Sequence, residues 1–402
     1  MKKLKKETTI ISTMSSIGLM ILIALMTLFV SSCSKGDDLD ETHGGETGAV
    51  IAGVSSYMTG YMANTQTRAW AIPDGYEPYE GGEQPIGVWF TKDSPSTTVY
   101  EGYLYKSGEK WRANFKEGAN LSAETYYVYG YIPHSAGISG SVTPGSESQY
   151  ANGATLTLTN VPSVMPNDLC VIIGAKDGTD KEHDNGLSRG DFAYAAKATS
   201  GEDSKGIYVF LLFDHLYSAI RVNMKVYADY NNLRTIKLKS LSLSTKVDDT
   251  YSKDHTDIAI VLEATDGSDP IQSITYIPTS TAVDNKDGIE FWKSETEEGQ
   301  TLTNEYPEHP FTGHFMPANV TTLVLTSVYD VYDKNVTPEH PDGNLLRENF
   351  KTTNIMVLKD LLTEQTTTKR GYRYTINMTI QPTYLYMLSE PDLDNPTVVL
   401  EP

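Results

Sequence analysis

Tyr372-Arg373-Tyr374-Thr375-Ile376-Asn377-Met378-Thr379-Ile380 places Tyr374, Ile376, Met378 and Ile380 two residues apart, with the polar Arg373, Asn377 and Thr379 between them. Successive side chains of a strand point to opposite faces, so this spacing predicts a strand with one buried side. The same period recurs in residues 155–159, 220–226, 236–243, 258–262, 271–277 and 322–328. Turn clusters stand between the runs, among them Asp177-Gly178-Thr179-Asp180, Asp266-Gly267-Ser268-Asp269-Pro270 and Asp342-Gly343-Asn344. Helical periodicity is confined to short stretches, the best being residues 357–364. The expected class is all-β, with strands packed as sandwiches.

The chain has 402 residues. About 350 remain beyond a signal and tether, more than one ordinary core holds, which predicts two tandem β-sandwich domains. The polar stretch Thr199-Ser200-Gly201-Glu202-Asp203-Ser204-Lys205-Gly206 has the composition of an exposed linker. The expected organisation is therefore a signal over 1–32, a tether over 33–48, and domains over 49–205 and 206–402.

Lys2, Lys3, Lys5 and Lys6 precede an apolar run over residues 17–30, the order of an export signal. The run ends in Val30-Ser31-Ser32-Cys33, where small residues before a thiol form a lipobox and mark Cys33 for lipidation. Acyl chains contribute about 0.8 kcal/mol per buried methylene, so two or more hold a protein durably on a membrane. The competing reading is an uncleaved helix reaching back to Ile10. Ser34-Lys35-Gly36-Asp37-Asp38-Leu39-Asp40-Glu41 follows, too polar to bury. Its acidic residues fit either a surface-export signal or a plain charged linker.

The formal net charge is -20, and losing four lysines and Glu7 with residues 1–32 removes a further +3, giving -23. Such a surface repels nucleic acid and anionic lipid. Cys170 is the second of two cysteines and lies in the apolar Leu169-Cys170-Val171-Ile172-Ile173, where a thiol acts as a small buried hydrophobe. Tyr126-Tyr127-Val128-Tyr129-Gly130-Tyr131 reads as core filling at strand period, with a carbohydrate platform as the alternative. No phosphate loop, zinc-helix motif or nucleophile elbow is present. His309 and His314 are separated by proline and glycine, and the acidic loop over residues 177–186 lacks the spacing of an EF-hand, so no metal, cofactor or catalytic residue is expected.

Three stretches, taken in order, resemble the fimbrillin (major and minor fimbria-like) family of Bacteroidales surface pilins. Thr65-Gln66-Thr67-Arg68-Ala69 is similar to its processing site, and Phe213-Asp214-His215-Leu216-Tyr217-Ser218-Ala219-Ile220-Arg221-Val222 to the strand opening its second domain. Gly371-Tyr372-Arg373-Tyr374-Thr375-Ile376-Asn377-Met378 is similar to a late family strand. The resemblance implies transthyretin-like sandwiches and export to the outer membrane as a lipoprotein. It further implies cleavage by an arginine-specific protease between Arg68 and Ala69, and polymerisation with other pilin subunits by donor-strand exchange. The strand to be displaced then falls within residues 49–62, carrying Val50, Ile51 and Val54. The candidate donor is the C-terminal segment with Thr397, Val398, Val399 and Leu400, which reads equally as the last strand of its own domain. Arg68 has its own alternative as an ordinary loop charge. A host or glycan ligand is left unidentified. A second function class, a monomeric surface glycan-binding lipoprotein, rests on Trp70, Trp89, Trp111 and Trp292; a hydrolase stays open because carboxylate pairs are invisible in sequence.

Overall fold

The computed structural model describes residues 51–59, 62–63, 76–78, 84–94, 97–107, 110–116, 121–135, 137–178, 186–196, 207–335, 343–362, 365–384 and 391–401. Within them the chain is almost entirely β, and each period-two run lies inside a strand. Tyr372–Tyr384 runs parallel to Ser218–Val226, with Ile220 beside Tyr374, Val222 beside Ile376, Met224 beside Met378 and Val226 beside Ile380. This register puts two apolar rows on one face, and a slip of one residue would turn a whole row outward. On the other face Asn223 Nδ2 donates to Asn377 Oδ1 at 2.9 Å.

These two strands belong to a six-stranded sheet that also holds Val164–Met165, Phe311–Phe315, Met62–Ala63 and Pro391–Leu400. It packs against a second six-stranded sheet built on Arg234–Val247 and Thr322–Asp333. Val222, Met224 and Met378 from one sheet meet Leu238, Leu241 and Leu325 from the other in a single core.

A nine-stranded sheet runs in the order Tyr76–Pro78, Ile51–Thr59, Ile207–His215, Cys170–Gly178, Thr125–Ile132, Ile86–Lys92, Thr98–Ser107, Lys110–Phe115, with Ala193–Ala195 added on Thr125–Ile132. It curls until the strands near its two ends share one core. Val54 and Met58 from the first strand, and Trp111 and Phe115 from the last, pack on Phe90, Leu104, Leu211 and Phe213. The outer face is covered by a four-stranded sheet of Ser139–Pro144, Gly153–Pro162, His255–Glu263 and Ile271–Pro278. There Trp89, Tyr129 and Val171 meet Leu156, Ile258 and Ile260. Burial on both faces explains why residues 170–175 and 209–213 read as unbroken apolar runs rather than alternating ones.

The expected domain boundary over 199–206 lies outside the described residues. The strand after it, Ile207–His215, pairs with Ile51–Thr59 and Cys170–Gly178 inside the nine-stranded sheet. The next strand, Ser218–Val226, enters the six-stranded sheet, and the later hairpin His255–Pro278 returns to pair with Gly153–Pro162 over the first core.

Tyr126, Tyr129 and Tyr131 are fully buried. Tyr129 donates its hydroxyl to the Tyr150 carbonyl at 2.6 Å and Tyr131 to the Ile138 carbonyl at 3.2 Å. Burial pushes the Tyr131 phenol up to about 12. Trp89 is buried, while Trp111 and Trp292 are half-buried, the latter against Phe311 at 4.5 Å between ring centres. The short helices are Ala228–Leu233, which no sequence signal marked, and Leu358–Leu361 inside the 357–364 stretch.

Ile260 tests the return of the later hairpin. Ile260→Ala leaves a cavity against the outer face of the nine-stranded sheet, and an expected loss of about 2–5 kcal/mol is measured by urea unfolding.

Candidate functional site

Ile51–Thr59 lies parallel to Ile207–His215, with Ile51 opposite Ile207, Val54 opposite Val209 and Met58 opposite Phe213. Among the described residues its other side is paired only at Tyr57, Met58 and Thr59, against Tyr76–Pro78. Its side chains alternate as a strand requires. Val54 and Met58 enter the core inside the curl, while Tyr57 stacks on Phe210 with ring centres 6.4 Å apart and planes 10° apart. Parallel pairing cannot be made by a tight hairpin, so the strand reaches its place over a long connection. Val50, Cys33, Arg68 and Ala69 lie outside the described residues, as does the middle of the 177–186 loop.

The run from Phe213 to Val222 carries the chain from one core to the next. Phe213 is buried in the first core and Ile220 and Val222 in the second. Several polar groups along it fix a neighbour. Arg370 Nη1 pairs with the fully buried Asp214 at 2.8 Å and donates to the His215 carbonyl at 3.2 Å. Tyr217 donates to the Pro162 carbonyl at 2.6 Å, and Ser218 to the Lys369 carbonyl at 2.7 Å. The Gly371 amide donates to the Tyr217 carbonyl at 2.8 Å, which ties this passage to the start of Tyr372–Tyr384.

Thr397, Val398, Val399 and Leu400 lie in Pro391–Leu400, which pairs antiparallel with Tyr372–Tyr384 of the same chain; Val398 is buried in the second core. Asn354 Nδ2 donates to the Val398 carbonyl at 2.6 Å. Just beyond, the Glu401 carboxylate accepts from Thr379 Oγ1 and from the Tyr306 hydroxyl at 2.5 Å, and pairs with Lys225 at 3.1 Å. Those partners, Thr379 first, hold the Glu401 carboxyl at about 2. The C-terminal strand is thus closed by a clasp on its own sheet.

Cys170 lies opposite His215 in the antiparallel ladder, at the end of the inner face that reads Val209, Leu211, Phe213, His215. Cys170 Sγ is 3.6 Å from His215 Nδ1 and 3.8 Å from Met58 Sδ, while Asp168 Oδ2 is 2.5 Å from the same Nδ1. Thiol and carboxylate face one ring nitrogen, so the imidazole is not placed between them as the base of a nucleophile chain, which uses its two nitrogens separately. Burial, and then the charge on Asp168, push the Cys170 thiol well up. His314 Nδ1 donates to the Pro166 carbonyl at 3.2 Å, and burial lowers its pKa. Asp168, Arg370 and Glu401 carry no local signal in the sequence; each depends on a partner more than twenty residues away, His215 for Asp168, Asp214 for Arg370 and Thr379 for Glu401.

Neither a protein-family model nor a curated relative matches the sequence. Among solved structures the chain is similar to a candidate cell adhesion protein from Bacteroides fragilis, at 9% identity over 88% of this chain and 97% of that one, TM-score 0.38. It is similar also to a fimbrial protein from Bacteroides vulgatus, at 15% identity over 86% and 98%, TM-score 0.34. The fimbrial anchor protein Mfa2 from Porphyromonas gingivalis aligns at 11% identity over 86% and 95%, TM-score 0.24. Likeness at this level leaves the functional reading to the chain's own residues.

Arg370→Met removes the cation from a buried carboxylate, and an expected cost of about 3–5 kcal/mol is read by denaturant unfolding. Glu401→Gln is expected to melt lower than the parent at pH 7. A carboxyl held below its unfolded value stabilises above that value and loses its effect as pH falls through the folded one. The gap in melting temperature should therefore close between pH 4.5 and about 2; a gap independent of pH would contradict the clasp.

Proposed function

We propose that this chain is a structural or accessory subunit of surface fimbriae. In this reading it is exported as a lipoprotein on Cys33, cut between Arg68 and Ala69 by an arginine-specific protease, and assembled with other pilin subunits by donor-strand exchange. The observation that carries the reading is the placement of Ile51–Thr59 beside Ile207–His215, near one end of the nine-stranded sheet, with Val54 and Met58 in the core. Withdrawing such a strand leaves unpaired backbone groups and bared apolar surface, and an extended segment of another subunit satisfies both by β-augmentation. Val50, Ile51 and Val54 belong to the segment that leaves. A donor drawn from Thr397–Leu400 has first to open the clasp at Glu401, so exchange through that segment couples leaving one sheet to entering another. The resemblance in the runs around Arg68, Phe213 and Gly371 supports the reading.

The second reading, a monomeric glycan-binding lipoprotein, drew on tryptophans. Among the described residues none of them is exposed, and Trp89 is core, which favours the fimbrial subunit.

Arg68→Ala decides the cleavage step. Protein recovered from the cell surface is expected to begin at Ala69 in the parent and at lipidated Cys33 in the variant, with the ladder of SDS-resistant oligomers lost. A variant that polymerises like the parent overturns the cleavage model.

A further inference from the structure

We propose that Asp168, Cys170 and His215 form a binding site for a thiophilic divalent cation of the zinc type, closed on its fourth side by Met58. Among the described residues this is the one group of three metal-ligating side chains whose donor atoms all lie within 4.8 Å of one another. The three come from two segments, residues 168–170 and residue 215, which meet where the ladder begins. Cys170 and His215 are direct cross-strand neighbours, and Asp168 stands two residues before Cys170 on the same side.

The spacing suits the ion. A tetrahedral zinc about 2.3 Å from a thiolate and about 2.0 Å from an imidazole nitrogen holds the two roughly 3.5 Å apart. Cys170 Sγ and His215 Nδ1 are 3.6 Å apart. Two sulfurs at about 2.3 Å from one tetrahedral ion stand roughly 3.8 Å apart, and Met58 Sδ is 3.8 Å from Cys170 Sγ. Asp168 Oδ2 sits 2.5 Å from Nδ1, a separation set by a shared proton. Replacing that proton with an ion moves the carboxylate outward by less than about 1 Å. Asp168 has room for this, because its side chain keeps 12% of its exposure while that of His215 keeps 1%.

Charge points the same way. A thiolate and a carboxylate together cancel a divalent cation, so the occupied site is neutral in a buried setting, where an uncompensated charge is costly. Asp214 next door is already matched by Arg370. The thiolate and thioether select a soft ion, and the carboxylate oxygen favours zinc over monovalent copper. Binding displaces the protons on the thiol and on the imidazole–carboxylate pair into solvent, so affinity falls as pH falls.

The test uses the full chain, with Cys33→Ser in parallel to remove the other thiol, and Co(II) as a spectroscopic probe. The expected result is a saturable near-ultraviolet thiolate-to-cobalt absorption with tetrahedral visible bands, unchanged by Cys33→Ser and erased by excess Zn(II). Cys170→Ser should abolish the band, Asp168→Asn should weaken binding at least tenfold, and Met58→Leu should change the visible envelope. Zn(II) should also raise the melting temperature of the parent, a readout independent of whether Cys170→Ser folds. A band that survives in folded Cys170→Ser, or a parent chain showing neither band nor melting shift at millimolar metal, overturns the site.

Discussion

The passage from one core to the other depends on a buried carboxylate having its cation. Asp214 is fully enclosed, and Arg370 reaches it from the turn that opens Tyr372–Tyr384. The same guanidinium holds the His215 carbonyl, and the next peptide holds Tyr217. One contact therefore joins residues 156 positions apart and sets where the chain leaves the first sheet and enters the second. Without it, the apolar rows on either side would still favour burial, and the point of crossing would be left to the neutral hydrogen bonds of Tyr217, Ser218 and Gly371.

The fold class was legible because one buried face imposes a period of two, and residues 220–226 and 372–380 show that period cleanly. Partner choice was not legible. Ile258 and Ile260 alternate like any half-buried strand, and nothing local says that they cover a sheet made by residues a hundred positions earlier. The run over residues 209–213 is apolar on both sides, a pattern that reports double burial but not membership in the earlier sheet. The tyrosines at 126, 129 and 131 were readable as core because hydroxyls can donate outward to carbonyls while the rings stay inside. Asp168, His215 and Cys170 were invisible as a group, since only the ladder brings residue 170 opposite residue 215. Cys33, Val50, Arg68 and Ala69 fall outside the described residues, so their roles rest on sequence and resemblance alone.

The two ends of the described chain are held by different physics. The first strand adds backbone pairing and a few apolar side chains to a sheet that is otherwise complete, and Met58 is its deepest contact with a polar cluster. The last strand adds Val398 to a core and is closed by a charged clasp of Glu401 with Lys225, Tyr306 and Thr379. Sulfur and apolar contact hold one end, while ionised hydrogen bonds hold the other, so salt and acid act on the second far more than on the first.

The parallel ladder between Ile51–Thr59 and Ile207–His215 also has a mechanical meaning. Tension applied along that strand against the body of the sheet loads its hydrogen bonds side by side, so they must fail together. An antiparallel hairpin peeled from its open end breaks them one after another. A strand seated in this lane is consequently resistant to pulling along its axis and yields more readily when lifted sideways from its free edge.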